Sequence, residues 1–253
     1  MDGRNWLNSR DELKLMATIS QLKLEDLSPS RRKRALRILE ITRIIDSLDL
    51  NDPNQLLICV MLAMGHNGLL RSAELLSGLT VSSILWDTSD SSFQLELPRS
   101  KTHRSGAAEL ITFIDHGPFS AVRLLRRWFD VACLWDKPGS KIFPAVSRGG
   151  KFDFSRSPSY GWWRLKIKVC CDNIGLDSSK YSGHSLRAGG ATDLFVARVP
   201  YYIIKKMGRW KSDAAMLYYR CDEDVEDAIK EAFTRLYKDC INRVKNKDGG
   251  IRR

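Results

Sequence analysis

The chain has 253 residues, 43% of them hydrophobic, enough for one core of moderate size with at most a short appendage. Lys and Arg outnumber Asp and Glu 41 to 30, and the resulting charge of +11 favours a polyanionic partner, nucleic acid being the usual one. Six cysteines without a C-x-x-C pair and four histidines without an H-E-x-x-H run argue against a metal centre, and the longest apolar run, Leu56 to Met64, is too short for a membrane span.

The first residues lack the apolar core of a signal peptide, and the scattered thiols suit a reducing compartment, so an intracellular protein is expected. The charge is uneven. Residues 221–231 hold six acids against one base, Lys230; that segment carries −5, which leaves +16 on the remainder.

Residues 1–30 are mixed and polar and read as a segment apart. Ser28-Pro29-Ser30 breaks the chain and offers a cap for a basic helix containing Arg31, Arg32, Lys33, Arg34, Arg37 and Arg43, with Leu36, Ile38, Leu39, Ile41, Ile44 and Ile45 interleaved. Such a helix either lies along phosphates or turns a solvated basic face outward, and the sequence leaves both open. Asp52-Pro53 opens a very apolar helix from Gln55 to Met64, expected at the centre of the fold and ended by Gly65 and Gly68. A short helix from Leu70 to Ser77 is closed by Gly78. Three short strands are expected next, at Val81–Trp86, Phe93–Leu97 and Ala108–Phe113, followed by a helix from Ser120 to about Trp135.

Residues 136–160 are rich in Gly, Pro and Ser and read as an extended connection. The rest is helical in pieces, with breaks at Gly183, Pro200, Gly208 and Arg220. A last amphipathic helix runs from about Asp222 to Ile241 and is a candidate contact between protomers; residues 242–253 form a basic tail. The pattern predicts a mainly α architecture with a small three-stranded antiparallel β-sheet, its principal domain spanning 31–241.

The chemistry-bearing residues gather in the C-terminal half. His184 and Arg187 lie three apart on one face of a helix that Ser182 or Gly183 can start, where N–H groups and an arginine fork suit an anion. Trp210, in Gly208-Arg209-Trp210-Lys211-Ser212-Asp213-Ala214, offers an indole N–H and a packing ring. Tyr218 and Tyr219 follow on a short helix, and a phenol among cationic groups loses its proton more readily. Taken singly, each residue is as well explained by capping or packing. Together, a cation, an imidazole and a phenol without a carboxylate pair suit attack on a phosphodiester.

This run resembles the C-terminal motifs of the tyrosine recombinase (integrase) family: a His-x-x-Arg box, a Gly-x-Trp position and a nucleophilic Tyr. The Gly-Arg-Trp-Lys-Ser-Asp form is most similar to eukaryotic transposon recombinases of the Crypton and DIRS type. The family has two further site members upstream, and both find a match. Leu70-Arg71-Ser72-Ala73-Glu74-Leu75 resembles the family's first arginine box, which makes Arg71 a second phosphate-binding guanidinium with Glu74 able to orient it. Lys101, in Pro98-Arg99-Ser100-Lys101-Thr102-His103-Arg104, matches the lysine of the small sheet's hairpin. Arg99, Arg104, Arg209 and Lys211, with Arg31 and Arg34, are candidate DNA contacts.

The resemblance implies the recombinase catalytic fold over about residues 31–240. It also implies a mechanism in which Arg71 and Arg187 hold the scissile phosphate, His184 and Trp210 donate hydrogen bonds or move protons, Lys101 protonates the leaving oxygen and Tyr218 attacks. Tyr219 is the alternative nucleophile. The covalent link conserves bond energy, so no cofactor is expected. The implied partners are double-stranded DNA and further copies of the chain, as a tetramer on paired sites, and a eukaryotic host would make the location nuclear. Only about 30 residues precede the basic stretch, so the family's core-binding domain is expected to be absent, truncated or replaced. A type IB topoisomerase acting alone, or a domesticated DNA-binding protein that no longer cuts, are the competing readings.

Overall fold

Asp52 and Pro53 start the helix around which the other elements pack. In the computed structural model, which describes residues 33–211 except 77, 90, 98–108, 118 and 148, Asp52 Oδ1 accepts the Asn54 N–H at 2.8 Å and Pro53 holds the first helical position. This helix runs Pro53–Asn67, with every residue from Leu56 to His66 buried. Its lack of an apolar stripe has a simple cause, since neighbouring helices cover it on several sides. Gly65, expected as a terminator, lies inside the helix: a Cβ there would come within 2.9 Å of Leu186 Cδ1, so the glycine allows close approach of a later helix. Gly68 is the terminating residue.

The helix preceding it, α1 (Ile38–Asp46), is shorter than the basic helix expected from sequence. Residues 33–37 are not helical. Their backbone is claimed by distant carbonyls: the Arg34 N–H donates to Lys180 O at 2.7 Å and the Leu36 N–H to Ser185 O at 2.9 Å. With Pro53–Asn67 as α2, the chain continues through α3 (Ser72–Leu76) into a three-stranded antiparallel sheet of β1 (Ile84–Trp86), β2 (Ser92–Leu97) and β3 (Glu109–Ile114), in the order β1-β2-β3. Residues 81–83, expected as strand, form a 3-10 turn. Ile84, Phe93, Leu95, Leu97, Ile111 and Phe113 bury one face of the sheet, and the paired Phe93 and Phe113 rings stack at 4.6 Å.

Ser120 caps α4 (Ala121–Val131), accepting the Arg123 N–H at 3.2 Å, and this helix packs on α2 through Leu124, Leu125, Trp128 and Phe129. The connection over 136–160 holds a small antiparallel pair, β4 (Ala145–Val146) and β5 (Phe152–Asp153), which two-residue strands left invisible in the sequence pattern. Ser159 caps α5 (Tyr160–Asn173). Then follow α6 (Gly183–Val196) and α7 (Tyr201–Met207), with the breaks at Pro200 and Gly208 where they were expected.

Helix α6 lies on backbone. A Cβ at Gly189 would fall 1.8 Å from Leu36 O, and one at Gly190 would fall 2.3 Å from His66 O. The two glycines therefore set how closely α6 approaches the 33–37 segment and the end of α2. Asp193, further along α6, ties the same three elements: it accepts from Arg37 Nε at 2.8 Å and the Ile38 N–H at 2.7 Å, and its Oδ2 is 2.8 Å from His66 Nε2. Sequence reading gave no sign of this junction. Of the described thiols, Cys59, Cys170 and Cys171 are buried and Cys133 is exposed.

Candidate active site

Helices α3 and α6 begin side by side. A Cβ added at Gly183 would lie 1.8 Å from Ser72 Oγ, so the residues flanking this contact, Arg71 and His184, are brought to the same place. Arg71 holds the start of α3: its N–H donates to Glu74 Oε2 at 2.7 Å and its Nη1 to Glu74 Oε1 at 2.5 Å, while its side chain remains 45% exposed. His184 is exposed at the start of α6.

Arg187 follows one turn later and is 1% exposed. Its guanidinium donates through Nη1 to Leu69 O and through Nη2 to Gly208 O, and its central carbon lies 4.1 Å from the Trp210 ring centroid. The arginine therefore joins α6 to the turn before α3 and to the turn after α7. Sequence placed this fork on a helix surface, facing an anion; the structure turns it inward onto two backbone carbonyls, because both turns close over that face of α6.

Arg209 adds a second link. It adopts φ +58°, and its side chain is 3% exposed. Nη2 donates to Glu74 Oε2 at 2.6 Å and to Leu69 O at 3.0 Å, and Nη1 donates to Gly68 O at 3.1 Å and Met207 O at 2.8 Å. Burial pulls the Arg209 pKa below its ordinary value while Glu74 and Glu109 oppose the shift. Burial alone would raise Glu74, but the charges of Arg209 and Arg71 and the Arg71 N–H bond hold it below the usual carboxylate range. Glu74 is thus an anion shared by two arginines. Among the described residues no group of three or more His, Cys, Asp or Glu could hold a metal ion, and no helix is long and apolar enough to cross a membrane.

No protein-family model and no curated protein sequence matches the chain. Solved structures do. XerA recombinase superposes with a TM-score of 0.58 at 18% identity, over 91% of this chain and 76% of that one. XerH site-specific recombinase, in a post-cleavage complex with its palindromic difH substrate, gives 0.57 at 17%, over 82% of this chain and 55% of that one. The Tn1549 transposon integrase, in complex with transposon right end DNA, gives 0.55 at 12%, over 92% and 81%. The fold is that of a tyrosine recombinase catalytic domain.

Within this recombinase fold, four of the residues singled out from sequence converge: Arg71, His184, Arg187 and Trp210 all lie at or beside the paired starts of α3 and α6. Arg34 and Lys211 are exposed. Arg209 is a correction. Expected on the DNA-facing surface, its side chain is instead inside, held by Glu74 and three carbonyls. Lys101, Tyr218, Tyr219, Arg31, Arg99 and Arg104, and the helix expected over Asp222–Ile241, lie outside the described residues.

Proposed function

We propose that the chain cuts and rejoins double-stranded DNA through a covalent phosphotyrosine intermediate. The observation that carries this reading is the convergence of Arg71, His184, Arg187 and Trp210 in a fold shared with recombinases and a transposon integrase. In the proposed reaction Arg71 binds non-bridging oxygens of the scissile phosphate and stabilises the charge of the transition state. Arg187 is the second guanidinium for that phosphate, exchanging its bond to Gly208 O for a phosphate oxygen while Arg209 keeps its hold on Glu74. The Tyr218 oxygen attacks phosphorus, giving its proton to a nearby base for which His184 is the candidate. The deoxyribose oxygen on the far side leaves with a proton from Lys101. A hydroxyl of a second strand then attacks the phosphotyrosine and regenerates the phenol. Since no net bond energy is lost, no nucleotide cofactor enters the balance.

The finer reading is site-specific recombination or integration of a mobile element by a Crypton- or DIRS-like enzyme, assembled as a tetramer on paired sites and acting in a nucleus. The Gly208-Arg209-Trp210-Lys211 run supports that branch. The test is covalent trapping on a nicked duplex. Wild type is expected to form a protein–DNA adduct, Tyr218→Phe to abolish it, and Tyr219→Phe to retain it. An adduct that survives both changes would overturn the assignment. Relaxation of supercoiled DNA by a strict monomer would point to a topoisomerase instead.

A further inference from the structure

Arg209 takes no part in the chemistry proposed above, yet its guanidinium bonds Glu74 and three backbone carbonyls at the site. We propose that Arg209 is the positioning residue for Arg71, acting through Glu74. This inference rests on the reading of Arg71 as a phosphate ligand.

Three observations carry it. First, Arg209 grips both sides of Arg71 in the sequence: Gly68 O and Leu69 O just before it, at 3.1 and 3.0 Å, and Glu74 just after it, at 2.6 Å. A planar fork is needed to reach Glu74 and three carbonyls at once, which a lysine could not do. Second, the backbone of Arg209 sits at φ +58°, a region that side chains other than glycine occupy at a cost, and such strain persists where the surroundings enforce it. Third, the charges matter. A half-buried carboxylate facing Arg71 alone would cancel it. Arg209 is the second counter-ion of Glu74 at 2.6 Å, nearer than its own second acid, Glu109, at 3.9 Å, so Glu74 is shared and the exposed Arg71 is left less neutralised towards an anionic ligand.

The experiment compares wild type, Arg209→Gln, Glu74→Gln and the double variant on a nicked duplex at saturating DNA, with affinity and melting temperature measured alongside. Arg209→Gln leaves Glu74 to neutralise Arg71 and is expected to slow single-turnover cleavage on the order of a hundredfold, with DNA affinity changed only about threefold. Adding Glu74→Gln removes the surplus negative charge and is expected to restore the rate roughly tenfold above Arg209→Gln. A purely structural role predicts the reverse, a double variant slower than either single one, and that result overturns the inference. Should Arg209→Gln not fold, Arg209→Met, which also removes the charge, replaces it with and without Glu74→Gln under the same expectation. Failure of the cleavage reading is distinct, because wild type would then give no adduct. Nitrogen-15 spectra of the arginine side chains test the inference in that case too. The Arg71 guanidinium, assigned by Arg71→Lys, is expected to rotate slowly in wild type and freely in Arg209→Lys; unchanged rotation refutes the coupling.

Discussion

The guanidinium carbon of Arg187 lies 4.1 Å from the centroid of the Trp210 ring, and the same guanidinium donates to the carbonyls of Leu69 and Gly208. The ring thus closes over a buried cation that also splices two turns together. A desolvated cation–π contact is worth about 2 kcal/mol. Trp210→Ala should therefore cost at least that much and lower the melting temperature by roughly 4–8 °C, while Trp210→Phe should retain most of it. Thermal unfolding of the three proteins checks this; equal losses for Phe and Ala would show that the ring face is not what matters.

The large elements were legible in the sequence because each is bounded by strong local chemistry. Asp52-Pro53 and Gly68 bracket the central helix, Ser120 starts α4, and alternating burial marks β2, whereas the Ser159 cap of α5 falls inside the stretch read as an extended connection. What failed depends on partners far away in the chain. Residues 33–37 lost their expected helix to carbonyls at 180 and 185. Arg209 went inside because Glu74 and Leu69, 135 and 140 residues earlier, receive it there. The site shows the same division. The spacing of His184 and Arg187 placed them on one short helix, but whether a guanidinium faces solvent or carbonyls is set by the turns packed against that helix.

Gly189 and Gly190 set propensity against packing. In an exposed helix, Gly→Ala stabilises by about 1 kcal/mol. Here a Cβ would meet Leu36 O at 1.8 Å or His66 O at 2.3 Å, both backbone atoms that cannot swing away. Overpacking of this kind costs about 1–3 kcal/mol or more, so the sign reverses. Gly189→Ala and Gly190→Ala are each expected to lower the melting temperature by several degrees. A rise for Gly189→Ala would mean that α6 stands off the 33–37 segment, and one for Gly190→Ala that it stands off the end of α2.

Asp193 gives the fold an acid-sensitive junction. Burial pushes its carboxyl up, but the bonds from His66 and Arg37 outweigh this and hold it below its ordinary value of 3.8. A carboxylate depressed on folding contributes stability above its unfolded pKa and loses it as pH falls through the folded one. Asp193→Asn should therefore cost roughly 2 kcal/mol at pH 7, the scale of charged hydrogen bonds, and the gap to wild type should narrow below about pH 4. Melting curves from pH 7 to 3 decide it: a gap that stays constant or widens in acid excludes this linkage.

The cysteines should differ in reactivity by burial. Desolvation pushes the Cys59 and Cys171 thiols up to about 12 and Cys170 up to about 11, so little thiolate is present at pH 8. Cys133 is exposed. Alkylation of the native protein, read by peptide mass, is expected to label Cys133 within minutes and the other three only on unfolding. Early labelling of Cys170 or Cys171 would contradict the packing of α5.

Arg34 and Lys211 are the exposed cations that sequence placed along DNA and that the structure describes at the surface. If each neutralises one phosphate, binding falls with salt along a slope of about −0.9 per contact in logarithmic terms. Arg34→Gln and Lys211→Gln should each make that slope shallower by about one, and the pair by about two, since the residues are far apart in sequence and their counterion releases add. Affinity lost at all salt concentrations with an unchanged slope would mean that the residue supports the fold and does not meet the phosphates. Lys211 is the sharper case, because it adjoins Trp210: a phosphate bound there would sit beside the turn whose Gly208 carbonyl holds Arg187.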